Sequence, residues 1–154
     1  MVDLTEFEGI SPYTDEQASE ALGKLADHPL VGQASHYFFP DEAPDFLKNI
    51  LKRIKTIDEF QVLVMQKFVR WVLENTARNF SYDGISNIDQ SKKFLALSNH
   101  RDIILDPAIT QLVLHNNGIP MTEIAVGDNL ITNKAIEYLI RSNRMIKVVR
   151  GITA

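Results

Sequence analysis

Apolar positions recur at helical spacing up to about residue 92 and then give way to an alternation of short apolar runs and amphipathic stretches. Thr14-Asp15-Glu16-Gln17 has the form of a capping box and predicts a helix running to about Ala26. His28 to Pro40 contains Gly32 and two prolines, which predicts a loop with a short turn. Phe46, Leu47, Ile50, Leu51 and Ile54 form one helical stripe. Asp58 and Glu59 open a longer helix, with Phe60, Leu63, Val64, Phe68, Trp71 and Val72 inward, ending near Arg78 before the loop Ser81-Tyr82-Asp83-Gly84. Phe94 to Ser98 then reads as a buried strand. Asp106-Pro107 reads as a helix cap followed by proline at the first helical position, where a missing N–H costs nothing. That helix buries Ile109, Leu112 and Val113 and stops at Asn116-Asn117-Gly118-Ile119-Pro120. A second strand is expected over Glu123 to Val126, a helix with Ala135, Ile136, Leu139 and Ile140 on one side, and a third strand over Met145 to Val149. Two successive β-α-β units imply a parallel sheet, so the expected class is α/β: an N-terminal helical region, residues 1–92, followed over 93–154 by the first part of a mainly parallel sheet with flanking helices.

The 154 residues suffice for about one domain, and 45% apolar with 23% charged residues is ordinary globular usage. The absence of cysteine excludes disulfides, thiolate metal sites and thiol nucleophiles together. No stretch approaches the ~20 apolar residues of a membrane-spanning helix, and the acidic opening MVDLTEFEG is not read as a secretory signal. These features place the expected location in the cytoplasm. The net charge of −4 is unevenly distributed: residues 1–46 hold ten Asp and Glu against one Lys, and residues 47–154 hold fifteen Lys and Arg against ten acids. A basic second part points to an anionic partner. Lys48, Lys52, Arg53 and Lys55 cover the polar side of one predicted helix. They read either as a solvated face or as a peripheral contact with the cytoplasmic face of an anionic membrane, where ~1 kcal/mol per basic residue is available.

The densest polar cluster is Ser98-Asn99-His100-Arg101-Asp102, followed by Asp106-Pro107. It runs from the end of a predicted strand to the start of a helix, the edge at which open α/β sheets bind ligands. A histidine on the strand end and an aspartate at the helix start can meet across such a turn. Amides and the helix dipole favour the ionised carboxylate, which leaves the far ring nitrogen free as a general base. The simpler reading is that His100 ends the strand and Asp106 caps the helix. A kinase-type catalytic loop is excluded, because Ile104 and Pro107 occupy the places of its lysine and asparagine and no glycine-rich loop precedes them. A metal site at His100, Asp102 and Asp106 lacks a second nearby histidine, so no metal is expected. A nucleic-acid module would need exposed aromatics among basic residues, and here the aromatics fall on core faces.

Leu97-Ser98-Asn99-His100-Arg101 followed by Asp106-Pro107-Ala108-Ile109 resembles the first motif of the glycerolipid acyltransferase superfamily, which includes glycerol-3-phosphate and lysophosphatidate acyltransferases. Gly118-Ile119-Pro120 and Ile124-Ala125-Val126-Gly127-Asp128-Asn129-Leu130 resemble the stretch after that motif, and Met145-Ile146-Lys147-Val148-Val149-Arg150 resembles the second motif. The resemblance spans residues 95–151. It departs from the family pattern in two ways. Five residues, rather than four, separate His100 from Asp106, so Asp106 takes the aspartate role with Asp102 in reserve. The third and fourth motifs are not found, so the chain is expected to be the N-terminal portion of a longer enzyme and inactive alone.

The resemblance implies an O-acyltransferase of phospholipid biosynthesis. His100, oriented by Asp106, would take a proton from a hydroxyl of glycerol 3-phosphate or a lysophospholipid. The oxygen would attack the thioester of an acyl-CoA or acyl-carrier protein, with no other cofactor. Arg150 and Arg101 would hold the acceptor phosphate, with Gly127 and Asn129 shaping the pocket. A rival from another class is a non-catalytic module that binds lipid or a partner chain through an unpaired sheet edge.

Overall fold

Thr14 caps the first helix as its sequence predicts: its hydroxyl accepts from the Gln17 amide at 3.3 Å, and Gln17 Oε1 accepts from the Thr14 amide at 3.0 Å. The computed structural model describes residues 7–99 and 101–151. It is a mixed helix-and-strand structure with a two-stranded parallel sheet. Its helices are α1 (Asp15–Leu25), α2 (Pro29–Phe38), α3 (Phe46–Leu51), α4 (Ile57–Phe60), α5 (Gln66–Thr76), α6 (Leu105–Asn116) and α7 (Lys134–Arg141). A π-helical segment, Gln61–Met65, joins α4 to α5. The strands are β1 (Ile124–Gly127) and β2 (Met145–Val148). Among the described residues no helix is long and apolar enough to cross a membrane. The chain divides into two compact units, Met1–Met65 with Glu123–Ala154, and Gln66–Thr122.

In the first unit, α1 packs against α7, α3 and α4, and α2 packs against α3. Ala18, Ala21 and Leu22 of α1 are buried with Leu47, Leu51, Ile54, Ile57 and Phe60. Two side chains of α1 also hold the start of α4: Ser19 Oγ donates to the Ile54 carbonyl at 2.8 Å, and Asp15 Oδ1 accepts from the Ile57 amide at 2.8 Å. The strands pair in register from Ile124↔Met145 to Gly127↔Val148, with α7 as the connection, forming one β-α-β unit. The Lys147 amide of β2 donates to the Ile10 carbonyl at 2.8 Å, so the segment before α1 lies along this strand.

In the second unit α5 packs against α6. The end of α6 is a Schellman turn, with the Ile119 amide donating to Leu114 and the Gly118 amide to His115, both at 3.0 Å. Gly118 has φ 69°, a left-handed conformation that suits glycine.

Three sequence expectations are corrected. His28 to Pro40 is not a loop, since Pro29–Phe38 is helical. Pro29 sits in the first turn, where it breaks no hydrogen bond, and His28 Nδ1 accepts from the Leu30 amide at 3.3 Å. Burial of Val31 and Ser35 offsets Gly32. Second, the expected strand Phe94–Ser98 does not form: Leu95 and Leu97 are 84% and 87% exposed. An apolar run becomes a strand only by pairing, and no strand lies beside this one among the described residues. The two expected β-α-β units are therefore one. Third, the helix expected from Asp58 to near Arg78 forms over 57–76, but its middle is the π-helical segment, which puts Gln61 and Gln66 in buried places and leaves Leu63, expected inward, exposed.

Candidate functional site

The seven residues singled out from sequence fall into the two units, and each group is described within its own unit. In the second unit the turn before α6 carries Arg101, Asp102 and Asp106, while His100 lies outside the described residues. Asp102 Oδ1 accepts from the Ile104 amide at 2.8 Å and the Leu105 amide at 2.7 Å. Ile104 is the N-cap residue of α6 and makes no side-chain cap bond; Asp102, not the expected Asp106, covers its amide and that of Leu105. Asp106 and Pro107 lie inside the first turn instead. The missing N–H of Pro107 still breaks nothing there, because the first four helical amides have no intrahelical acceptor. Asp106 turns back along the chain, and its Oδ2 accepts from the amides of Arg101 at 2.7 Å and Asp102 at 2.8 Å. The two carboxylates thus share one turn but hold different parts of it. Asp102 supports the helix, and Asp106 holds the backbone that directly follows residue 100. Arg101 is exposed.

In the first unit Gly127, Asn129 and Arg150 come together. Gly127 ends β1 opposite Val148 of β2, and Arg150 follows that strand end by two residues. Asn129 lies in a single 3-10 turn, Asp128–Leu130, directly after β1. A Cβ at Gly127 would stand 2.5 Å from Asn129 Oδ1, 2.8 Å from Arg150 Nε and 3.2 Å from Arg150 Cζ. Both side chains therefore converge over Gly127, at the C-terminal end of a parallel strand pair. Asn129 and Arg150 are exposed. This arrangement can present a planar cation and an amide to an anionic or hydroxyl-bearing ligand.

The structure also contains a buried polar cluster that the sequence reading missed. Arg141 is buried; its Nε donates to the Ser11 carbonyl at 2.8 Å and its Nη2 to the Glu8 carbonyl. Its guanidinium lies 4.3 Å from the Tyr13 ring centre. Glu137 takes a bond from Arg141 at 3.3 Å and one from Lys134 at 2.9 Å. The Lys134 bond is the main cause holding the Glu137 carboxyl below its usual range, with a smaller contribution from Arg141. Burial, followed by the charge of Glu137, pushes the Tyr13 phenol up, while Arg141 opposes that rise. The available clue was the i,i+4 pair Glu137 and Arg141 on a predicted helix. Beside this cluster, Arg144 Nε donates to Gln61 Oε1 at 2.9 Å, Arg144 also pairs with Asp58, and Gln61 Nε2 donates to Asn143 Oδ1 at 3.4 Å. These bonds hold Arg144 at φ 56°, between α7 and β2.

In comparisons with known proteins no family model matches the chain, and neither a curated protein nor a solved structure does.

Proposed function

We propose that this chain carries the acceptor-activating part of an O-acyltransferase, moving an acyl group from a thioester donor to a hydroxyl of glycerol 3-phosphate or a lysophospholipid. His100 removes the hydroxyl proton as the oxygen attacks the thioester carbonyl. The tetrahedral intermediate collapses with loss of the thiolate, which takes the proton from the imidazolium. Asp106 orients His100, and Arg150 holds the acceptor's phosphate bidentately. No acyl-enzyme is needed.

The observation that carries this reading is the convergence of Arg150 and Asn129 over Gly127, three residues that the acyltransferase resemblance had marked for substrate. The two amide bonds to Asp106 lend further support, since they hold its carboxylate against the chain that follows residue 100. The test is release of CoA from acyl-CoA, dependent on glycerol 3-phosphate, by the full-length protein that carries this sequence. His100→Ala is expected to reduce the rate by about 10²- to 10⁴-fold, as loss of a general base does. Asp106→Ala should lower it and Asp102→Ala should act mainly on stability. Full activity in His100→Ala would refute the mechanism.

A second reading, a module that binds lipid or a partner without catalysis, draws support from the exposed apolar run at Phe94, Leu95 and Leu97. Saturable binding of an acyl chain or partner with no thioester turnover would favour it.

A further inference from the structure

Gly127 has φ −66° and ψ 138°, an extended backbone that any residue adopts, so its conformation gives no reason for glycine. The reason lies in the space above it. Of the chain's seven glycines, Gly9, Gly23, Gly32, Gly118 and Gly151 would admit a Cβ into open space, and Gly84 would meet only the Asn87 amide at 3.4 Å. At Gly127 alone the added carbon would collide, with Asn129 Oδ1 at 2.5 Å and Arg150 Nε at 2.8 Å. The second collision is the more telling one. Nε and Cζ are the root of the guanidinium, so Arg150 cannot yield by swinging its tip; the whole planar group must leave its seat.

Arg150 is exposed, and among the described residues it has no ion-pair partner. An arginine at a strand end ordinarily samples many rotamers, and a ligand that needs one of them must bear the cost of ordering it. The notch at Gly127, bounded on another side by Asn129 Oδ1, offers the guanidinium one resting place before ligand arrives.

We propose that Gly127 and Asn129 are positioning residues that act through Arg150, seating its guanidinium so that the site selects acceptors bearing a phosphate monoester over uncharged alcohols. This inference rests on the acceptor-binding role given to Arg150 above and names what enforces it. Gly127 contributes by lacking a side chain, and Asn129 by limiting where the guanidinium can lie.

The experiment is equilibrium binding of glycerol 3-phosphate, with glycerol as the uncharged comparison, to the full-length protein and its variants. Arg150→Ala is expected to weaken glycerol 3-phosphate binding about ten- to a hundredfold, the loss of a charge-assisted pair. Gly127→Ala should weaken it about three- to tenfold and Asn129→Ala about threefold, with the fold confirmed by circular dichroism. Placed on Arg150→Ala, neither change should have a further effect, because the group they seat is gone. In steady-state assays the KM for the phosphorylated acceptor should rise while kcat holds. Equal losses from Gly127→Ala and Asn129→Ala with and without Arg150 would overturn the seating role and leave phosphate binding by Arg150 intact. Unchanged binding in Arg150→Ala would overturn both. Asn129→Ala leaves β1 untouched, so the non-additivity can still be read if Gly127→Ala fails to fold.

Discussion

Replacing Arg141 by methionine keeps the packing of an unbranched stem but removes the charge and all its donors. In the folded chain Arg141 donates to the carbonyls of Ser11 and Glu8 and lies over the Tyr13 ring. Hydrogen bonds from a charged group contribute about 1.5–3 kcal/mol each. Glu8 is exposed and Ser11 half-buried, so their carbonyls regain water and the lower figure applies to both. The ring contact adds about 0.5–1 kcal/mol. Glu137 keeps Lys134, so loss of that pair adds little. The expected destabilisation is therefore about 3.5–4 kcal/mol, or roughly 7–16 °C in Tm for a chain of this size. Urea unfolding followed by circular dichroism measures it. Two further readouts locate the effect. The Tyr13 phenol, already raised by burial and by Glu137, should titrate at still higher pH once the opposing guanidinium is gone. Its raised pKa means that the associated stability is full below the ordinary tyrosine range and lost as pH rises through the folded value. The Lys147 amide, bonded to Ile10, should exchange faster as the segment before α1 loosens. A loss below about 1 kcal/mol with an unmoved Tyr13 titration would refute the argument, since the guanidinium would then be no better placed in the fold than in water.

Other consequences can be checked more simply. Asp102→Ala should cost about 1 kcal/mol by uncovering the Ile104 and Leu105 amides, read as a lower unfolding midpoint. Gly118→Ala should cost about 1 kcal/mol from backbone strain alone, because its Cβ would enter open space; a neutral result in thermal unfolding would contradict the left-handed cap. Asp27 accepts from Lys52 at 2.9 Å and pairs with Lys48 at 3.1 Å; these bonds, Lys52 first, hold its carboxyl below the usual range. The stability it confers is present above the ordinary carboxylate range and lost as pH falls through the lowered folded value. Asp27→Asn should therefore flatten part of the acid limb of stability, by less in high salt because the group is fully exposed.

Where local chemistry decides a structure, the chain could be read directly. The capping box at Thr14 and the stop at Gly118 rest on neighbours within a few residues. The β-α-β run from Ile124 to Val148 was legible from its alternating pattern, although its strands pair across α7. Pro29 and Gly32 misled because each suggests a break, yet proline is harmless in a first turn and one glycine costs only about 1 kcal/mol. Phe94–Ser98 misled for the opposite reason: its propensity is real, but a strand depends on a partner that local pattern does not supply. At the candidate site the residue types were legible and the division of labour was not. Two aspartates four residues apart both suit a helix start, and only geometry separates the one that covers the opening amides from the one that turns back. Arg150 meets Gly127 because Gly127 pairs with Val148, and that register is a property of the sheet.

Single-codon gains and losses would not be equally harmless along this gene. Across Gln61–Met65 the buried series steps by five, from Gln61 to Gln66 and from Val64 to Val69, where an α-helix would step by three or four. Deleting one residue there would restore the α-helical step of four and leave the later side chains on their faces, whereas deleting one at the start of α5 would turn those that follow by about 100°. In that second case Val69 and Val72 would lose their inward places, and Lys67 or Arg70 would approach them. The same deletion between residues 88 and 99, where no helix or strand is present, would shift no such phase. An aligner that penalises gaps equally in all three places would misjudge which ones this protein tolerates.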